Sequence, residues 1–447
     1  MSRLSSKHAR ELAARAVALT KADGAEAIVT SGEESLTRFA DNRIHQNVTE
    51  TDTRVSVRAV IGRQQGVAST NRLDDDSLAA CCAAAAQAAS AAPADPDFPG
   101  LPAPAPIKTP ERATETARHY GPKQRADAVY SMVRQCSSRL IKAAGGVASS
   151  VSTVAVANSL GVDAGMETTA VRATVLAQTE RNGSGWASFF GPDPADLDAD
   201  ALGERAATLA TRSEHPINLD PGTYAVVLAP EAVADIVDFL GYLGFSARAF
   251  EEGRSFMNGQ IGERIMSEQV TIFDDALAPE ACGLTFDFEG MPKRRVVLID
   301  HGIATGVVTD SYWAARSGRE NTGHALPAPN PYGPMALDLQ MAPGSATIDQ
   351  LISSVERGVY VTRFHYVNVE DPVPATLTGM TRDGTFLIQD GALTSPLKNL
   401  RFTQSAVAAM NAVSAVTSQR ARFEVMVGSV LAPGVLIDGW EFTGQTG

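Results

Sequence analysis

The stretch Val226-Val227-Leu228-Ala229-Pro230-Glu231-Ala232-Val233-Ala234-Asp235 runs from an apolar strand into a helix and sets two carboxylates at the helix start. Glu231 and Asp235 are the candidate catalytic residues, as carboxylates able to take up or release a proton. A plainer reading is also open: Pro230 suits the first helical position, and Glu231 complements the positive helix end as a surface acid. His301, His324 and His365 lie 23 and 41 residues apart, which matches no local metal motif, so ordinary core or surface histidine competes with any ligand role. His324 stands out, since Gly323-His324-Ala325 is followed by Pro327, Pro329 and Pro331 and reads as an ordered loop. Together with His365 and Tyr366, from Phe364-His365-Tyr366, it is a candidate lining of a substrate groove. Asp310-Ser311-Tyr312-Trp313 offers further hydroxyl and aromatic groups, explained equally by packing or by peptide contact. No Ser/His/Asp order, nucleophile elbow, GxGxxG or Walker loop is present.

The elements that would position these residues fall into three parts. Residues 1–92 read as an α+β unit: a helix over Ser6–Lys21, short strands at Ala25–Ser31, Ser35–Ala40, Arg43–Thr49 and Thr53–Ile61, then Gly66–Thr70 and an Ala-rich helix capped by Asp74–Asp76. Residues 93–122 hold eight prolines and read as a stiff connector. Residues 123–219 form a second α+β segment, with a helix over Lys123–Ala144 ended by Gly145-Gly146, strands at Val151–Ala157 and Glu167–Gln178, and a helix over Asp193–Arg212. Residues 220–447 alternate Gly-punctuated strands with helical patterns at Glu231–Leu243, Thr347–Glu356 and Gln404–Val416, which describes a large, mainly antiparallel β domain. The expected fold class is therefore α+β, with an N-terminal α/β sandwich-like domain before the β-rich one.

Composition narrows the function. The chain has 447 residues, and 38 Lys plus Arg against 51 Asp plus Glu leave a net charge of −13, a field that repels nucleic acid and anionic lipid. Cys81, Cys82, Cys136 and Cys282 are too few and too irregular for a disulfide framework or a CxxC zinc site, which suits a reduced, cytoplasmic protein. No secretory signal or membrane span is read in the sequence.

Several ordered pieces carry a resemblance: Arg38-Phe-Ala-Asp-Asn-Arg-Ile-His45, Val55-Ser-Val-Arg-Ala-Val-Ile-Gly62, Gln65-Gly-Val-Ala-Ser-Thr70, Ser267-Glu-Gln-Val-Thr-Ile-Phe-Asp-Asp275, Asp287-Phe-Glu-Gly290, Ile299-Asp-His-Gly-Ile303, Asn321-Thr-Gly-His-Ala325 and Leu339-Gln-Met-Ala-Pro-Gly344. In that order and spacing the chain resembles the TldD/PmbA (TldE) family over nearly all its length. Catalytic TldD-type members carry HExxxH on the helix after the strand and a late cysteine before a glycine. The resemblance lays those ligand positions on Pro230, Asp235 and Val427, so only Glu231 remains of the motif. Proline and valine side chains have no donor, and zinc prefers N and S ligands. No metal is therefore expected in this chain, and zinc is expected in a partner subunit.

What the resemblance implies is a zinc-free, TldE/PmbA-like subunit, pairing with a TldD-like HExxxH subunit in a cytoplasmic metallopeptidase complex that cleaves flexible or unfolded peptides. Main-chain pairing would admit such peptides with little sequence selectivity. Two alternatives stand beside it: a stand-alone hydrolase using Glu231 with Asp235, His324 or His365, and a non-enzymatic homodimer that binds peptides.

Overall fold

Residues 3–445 are described by a computed structural model. The first half contains α1 (Ser6–Leu19), β1 (Gly24–Ala40), β2 (Arg43–Ile61), β3 (Gln64–Thr70), α2 (Asp75–Ala91), α3 (Glu115–Arg118), α4 (Pro122–Ser137), β4 (Lys142–Asn158), β5 (Asp163–Gln178), β6 (Ser184–Gly191) and α5 (Ala199–Arg212). The second half contains β7 (Gly222–Leu228), α6 (Pro230–Gly244), α7 (Ala247–Glu251), β8 (Ile272–Asp274), β9 (Val296–Asp300), β10 (Ile303–Ala304), α8 (Ser311–Ser317), β11 (Asp338–Met341), α9 (Ile348–Ser353), β12 (Arg357–Asp371), β13 (Thr376–Gln389), β14 (Ala392–Pro396), β15 (Leu400–Ser405), α10 (Ala406–Asn411), β16 (Val413–Glu424) and β17 (Ser429–Gln445).

The α+β class expected from the sequence is what the chain adopts. Six antiparallel strands in the order β3-β2-β1-β4-β5-β6 make one sheet that spans both sides of the proline-rich connector, because β1 pairs with β4 along fourteen positions from Glu26↔Asn158 to Phe39↔Gly145. The N-terminal and middle segments thus share a sheet rather than forming two packed units. β1 and β2 each run unbroken where the sequence suggests two short strands. Their hairpin turns at Asp41-Asn42, both with positive φ (47° and 63°), the backbone a tight two-residue turn requires. The apparent breaks at Gly32–Glu34 and Glu50–Asp52 are places where the paired strands present polar residues to an open face, not turns.

One face of this sheet is covered by helices. Ala9, Ala13 and Ala16 of α1 and Leu78, Cys81, Cys82 and Ala85 of α2 pack on Ala27, Val29, Val55, Val57 and Ala155. Val129 and Met132 of α4 and Ala206 and Ala210 of α5 pack on Ala143, Ala173, Val175 and Ala187. Small side chains on both layers let the helices approach closely. The helix read through Ala144 stops at Ser137, and Gly145-Gly146 lies inside β4, where a Cβ on Gly145 would overlap the Thr174 carbonyl.

In the second half β7, β12, β13, β15 and β17 close into a ring, since β7 pairs with both β12 and β17. Only β7–β12 and β11–β17 are parallel among its named strand pairs, so the domain is mainly antiparallel. Its core is centred on α6, whose Val233, Ile236, Val237 and Leu240 are fully buried, and on the aromatic cluster Phe364, Phe402 and Trp440, with ring centroids 4.7 to 5.3 Å apart and Phe364 stacked on Trp440. The helical pattern over Gln404–Val416 resolves into the end of β15, the short α10 and the start of β16, because tertiary pairing with β13 and β17 overrides the local periodicity.

The halves are joined through buried polar contacts. Arg58 on β2 donates to Glu26 at 2.8 Å and to Glu289 of the second half at 3.4 Å. Arg112, in the connector, gives its guanidinium to four carbonyls, Ala276, Ala278, Pro279 and Ala281, at 2.6 to 3.1 Å. Phe286 inserts among Ile28, Val156 and Met166 on the sheet face that the helices leave free.

Candidate functional site

The β7–α6 junction forms as the sequence suggests, with Pro230 in the first helical turn. Glu231 is not a surface acid, however. Trp186 of the edge strand β6 reaches the start of α6, where its indole N–H donates to Glu231 Oε1 at 2.7 Å. The Arg363 guanidinium lies over the Trp186 ring, 4.1 Å from its centroid, and 3.3 Å from Asp383 Oδ2. Glu231 and Asp235 face a cleft of about 140 Å³ together with Trp186, Ser188, Phe190, Phe423, Glu424 and Val425.

Spacing of four and three residues puts Glu231, Asp235 and Asp238 along one side of α6. Burial pushes Glu231 above the usual carboxylate range, with the Trp186 hydrogen bond and Arg363 opposing. Burial and the neighbouring Glu231 charge push Asp235 up to about 8, so it is protonated at neutral pH. Burial likewise raises Asp238 to about 6, offset by the backbone amides of Met426 and Val427. Asp238 Oδ2 accepts the Met426 N–H at 3.1 Å, and this bond holds the β16–β17 turn, which carries Val427, against α6. The turn depends on Gly428, whose φ of +81° and lack of a Cβ let it pass the Leu337 carbonyl.

The histidines do not join this cleft. His324 is 1% exposed, and its ring bridges Asp274 Oδ1 and Thr322 Oγ1, each at 3.0 Å. Burial would raise Asp274, yet His324 and Lys293 outweigh it and hold the carboxyl down at about 2. Lys293 also lies 3.4 Å from Asp338, again with both side chains buried. Lys293, His324 and Asp338 line a second cavity, of about 280 Å³, with Cys282, Leu284, Phe286, Phe288 and Ser429. Phe190 borders both cavities, and the turn carrying Val427 stands between them. His365 and Tyr366 sit at a bulge of β12, ring centroids 4.6 Å apart, with Tyr366 exposed; neither lines either cavity. Burial and the charges of Arg382 and Arg363 lower His365 below its ordinary value.

Pro230 and Val427 have no side-chain donor and Glu231 is held by Trp186. Among the described residues no group of three or more His, Cys, Asp or Glu converges to hold a metal ion. Trp186, from β6, and Arg363, from β12, which lies over its ring, escape a reading of the sequence, since they come from two distant strands. The one visible hint is Asp238, a third acid, after Glu231 and Asp235, on an otherwise apolar helix.

Family profiles described as PmbA/TldA metallopeptidase domain 1, central domain and C-terminal domain match residues 25–89, 102–214 and 221–444. The chain belongs to the PmbA/TldD metallopeptidase family. A metalloprotease of Methanothermobacter thermautotrophicus is 27% identical over 224 residues, 49% of this chain and 48% of the relative. A metalloprotease TldD homolog of Haemophilus influenzae is 30% identical over 168 residues, 37% and 34% of the two chains. The matched part of this chain thus spans about half the length of these curated relatives or less. The crystal structure of TldE from Thermococcus kodakarensis superposes with a TM-score of 0.89 at 18% identity, covering 98% of this chain and 100% of that one. A structure described as a putative modulator of a DNA gyrase from Thermotoga maritima gives 0.86 at 17% identity, covering 97% and 99%. These last two likenesses concern the fold. No helix among the described residues is long and apolar enough to cross a membrane.

Proposed function

We propose that this chain is the metal-free, TldE-like subunit of a TldD/TldE-type peptidase complex in the cytoplasm, and that it helps to hold a flexible peptide for a partner subunit that carries HExxxH and zinc. What supports this reading is the chemistry at the α6 start: Pro230, Asp235 and Val427 stand where the resemblance lays the ligand positions of catalytic members, and the helix and the turn there are pinned together by Asp238. A scaffold kept whole around a site without donors has its use in the surfaces around that site. Against a stand-alone hydrolase, the Glu231–Asp235 cleft has no histidine in its lining.

Co-expression with an HExxxH paralogue tests the proposal. The two chains should co-purify one to one and cleave an unstructured peptide in a chelator-sensitive way, while this chain alone binds no stoichiometric zinc after dialysis. About one tightly held zinc per chain, or indifference to the paralogue in pull-down, would overturn it.

A further inference from the structure

The sheet face left free by the helices carries two rows of residues in register. Asp52, Gly32, Ser152 and Thr168 stand side by side across β2, β1, β4 and β5, and Glu50, Glu34, Ser150 and Ala170 form the next row. At the β4–β5 end of both rows opens the 280 Å³ cavity, walled by Phe190, Leu284, Phe286, Phe288 and Leu337. Its floor holds Lys293 paired with Asp338, and His324 paired with Asp274, so each basic group already faces an acid. Drug-sized ligands occupy pockets of roughly 300 Å³ or more, so this apolar space suits one large side chain rather than a whole small molecule.

At the β1–β2 end a second hollow, of about 450 Å³, shares Ser150 and Ser152 with the first. Its acids are Glu34, Glu50 and Asp52, set against the single cation Arg172, which is itself held by Glu34 and by Glu424 at 2.9 Å. The excess of carboxylate there favours a basic group.

We propose that this face reads an extended peptide by seating one large apolar side chain, Phe, Leu or Met, in the cavity, with a Lys or Arg two or four positions away over the acids of β1 and β2. Strands lie about 4.8 Å apart, so Glu34 and the Glu50–Asp52 pair lie roughly 7 and 12 Å from the middle of the β4–β5 pair. An extended chain advances about 3.3 Å per residue and presents alternate side chains to one face, which gives spacings of two and four. This substrate preference rests on the peptide-binding reading above and adds the identity of the anchoring residues to it.

Labelled decapeptides of Gly, Ser and Thr carrying one Phe and one Lys two positions apart would be titrated against the full chain, and against its complex with the paralogue, by fluorescence anisotropy. Replacing Phe by Ala should weaken binding about tenfold or more. Replacing Lys by Glu should weaken it several-fold, with the difference shrinking at high salt. Ala170→Phe, which fills the cavity from β5, should erase the Phe preference and keep the Lys preference. The pair Glu50→Gln, Asp52→Asn should do the reverse. Ser152→Leu on β4 provides a second filling variant should Ala170→Phe fail to give native circular dichroism. Peptides that bind equally well with Ala or Phe, or a Phe preference that survives both fillings, would overturn the pocket assignment and leave peptide binding intact. No binding of any peptide to chain or complex would overturn both.

Discussion

Asp235 shows how one side chain can shape the pH response of this cleft. In an unfolded chain it ionises near 4, whereas burial and Glu231 raise it to about 8 in the fold. Between those values the folded state holds a proton that the unfolded state has released, so this group's contribution to stability falls as pH rises and is lowest above about 8. Asp235→Asn keeps the shape without the ionisation. The variant should melt higher than wild type at pH 8 and close to it at pH 5, measured by differential scanning fluorimetry across that range. An equal shift at both pH values would mean that packing, not ionisation, governs the site. Asp238 behaves differently, because it accepts a backbone amide from the β16–β17 turn. Asp238→Ala leaves the Met426 N–H without its partner, which should cost about 1 to 3 kcal/mol and increase hydrogen exchange at residues 425–428 ahead of the rest of the chain.

At the scale of elements, the helix layer sits close to the sheet because glycine and alanine face each other across it. Gly66 on β3 leaves room for α2: a Cβ there would lie 2.5 Å from the Ala85 carbonyl oxygen and overlap the Ala89 backbone nitrogen. Backbone cannot swing aside as a flexible side chain can, so Gly66→Val must push α2 off the sheet and open the cluster that includes Leu78, Cys82 and Ala85. The expected loss is about 2 kcal/mol or more, seen as a lower urea midpoint. Gly62→Ala, in the β2–β3 turn, provides the contrast. It meets nothing within 4 Å, and its penalty comes from the positive φ of 57° alone, about 1 kcal/mol. Equal losses for the two variants would refute close packing as the reason for glycine at position 66.

For the whole molecule, buried charge holds the two halves together. Arg58 lies between Glu26 and Glu289, and all three side chains are nearly or fully buried. Arg58→Ala would leave two acids facing each other without their cation, at a cost of about 3 to 5 kcal/mol. Arg58→Ala combined with Glu26→Ala and Glu289→Ala should recover part of that loss, as read from chemical denaturation. Several acids across the fold are raised by burial: Glu26 to about 7, and Asp310 to about 6. With Asp235 and Asp238 they bind protons in the folded state that the unfolded chain releases above pH 4 to 5. Thermal stability should therefore be greater near pH 5 to 6 than near pH 8 to 9. A melting temperature that climbs steadily from pH 5 to 9 would contradict this.

The amino-acid sequence by itself determined the helices whose apolar stripes repeat without interruption, α1, α2 and α6, because a local period of about 3.6 residues needs no distant partner to be visible. It also determined that Pro230 and Val427 bring no side-chain metal donor, since that follows from residue type. Tertiary structure decided the rest. Glu33, Glu34, Glu50 and Asp52 look like loop residues in the sequence, yet they sit within long paired strands, because hydrogen bonds between β1, β2 and β4 fix the backbone whatever one face carries. Gly145-Gly146 resembles a helix end and is strand interior for the same reason. The company kept by Glu231, Trp186 from 45 residues upstream and Arg363 from a later strand, depends on the sheets bringing Trp186 to the start of α6, which no local pattern encodes. Burial then sets which carboxyls keep their protons, so the sequence names the titratable groups and the packing around them decides their charge.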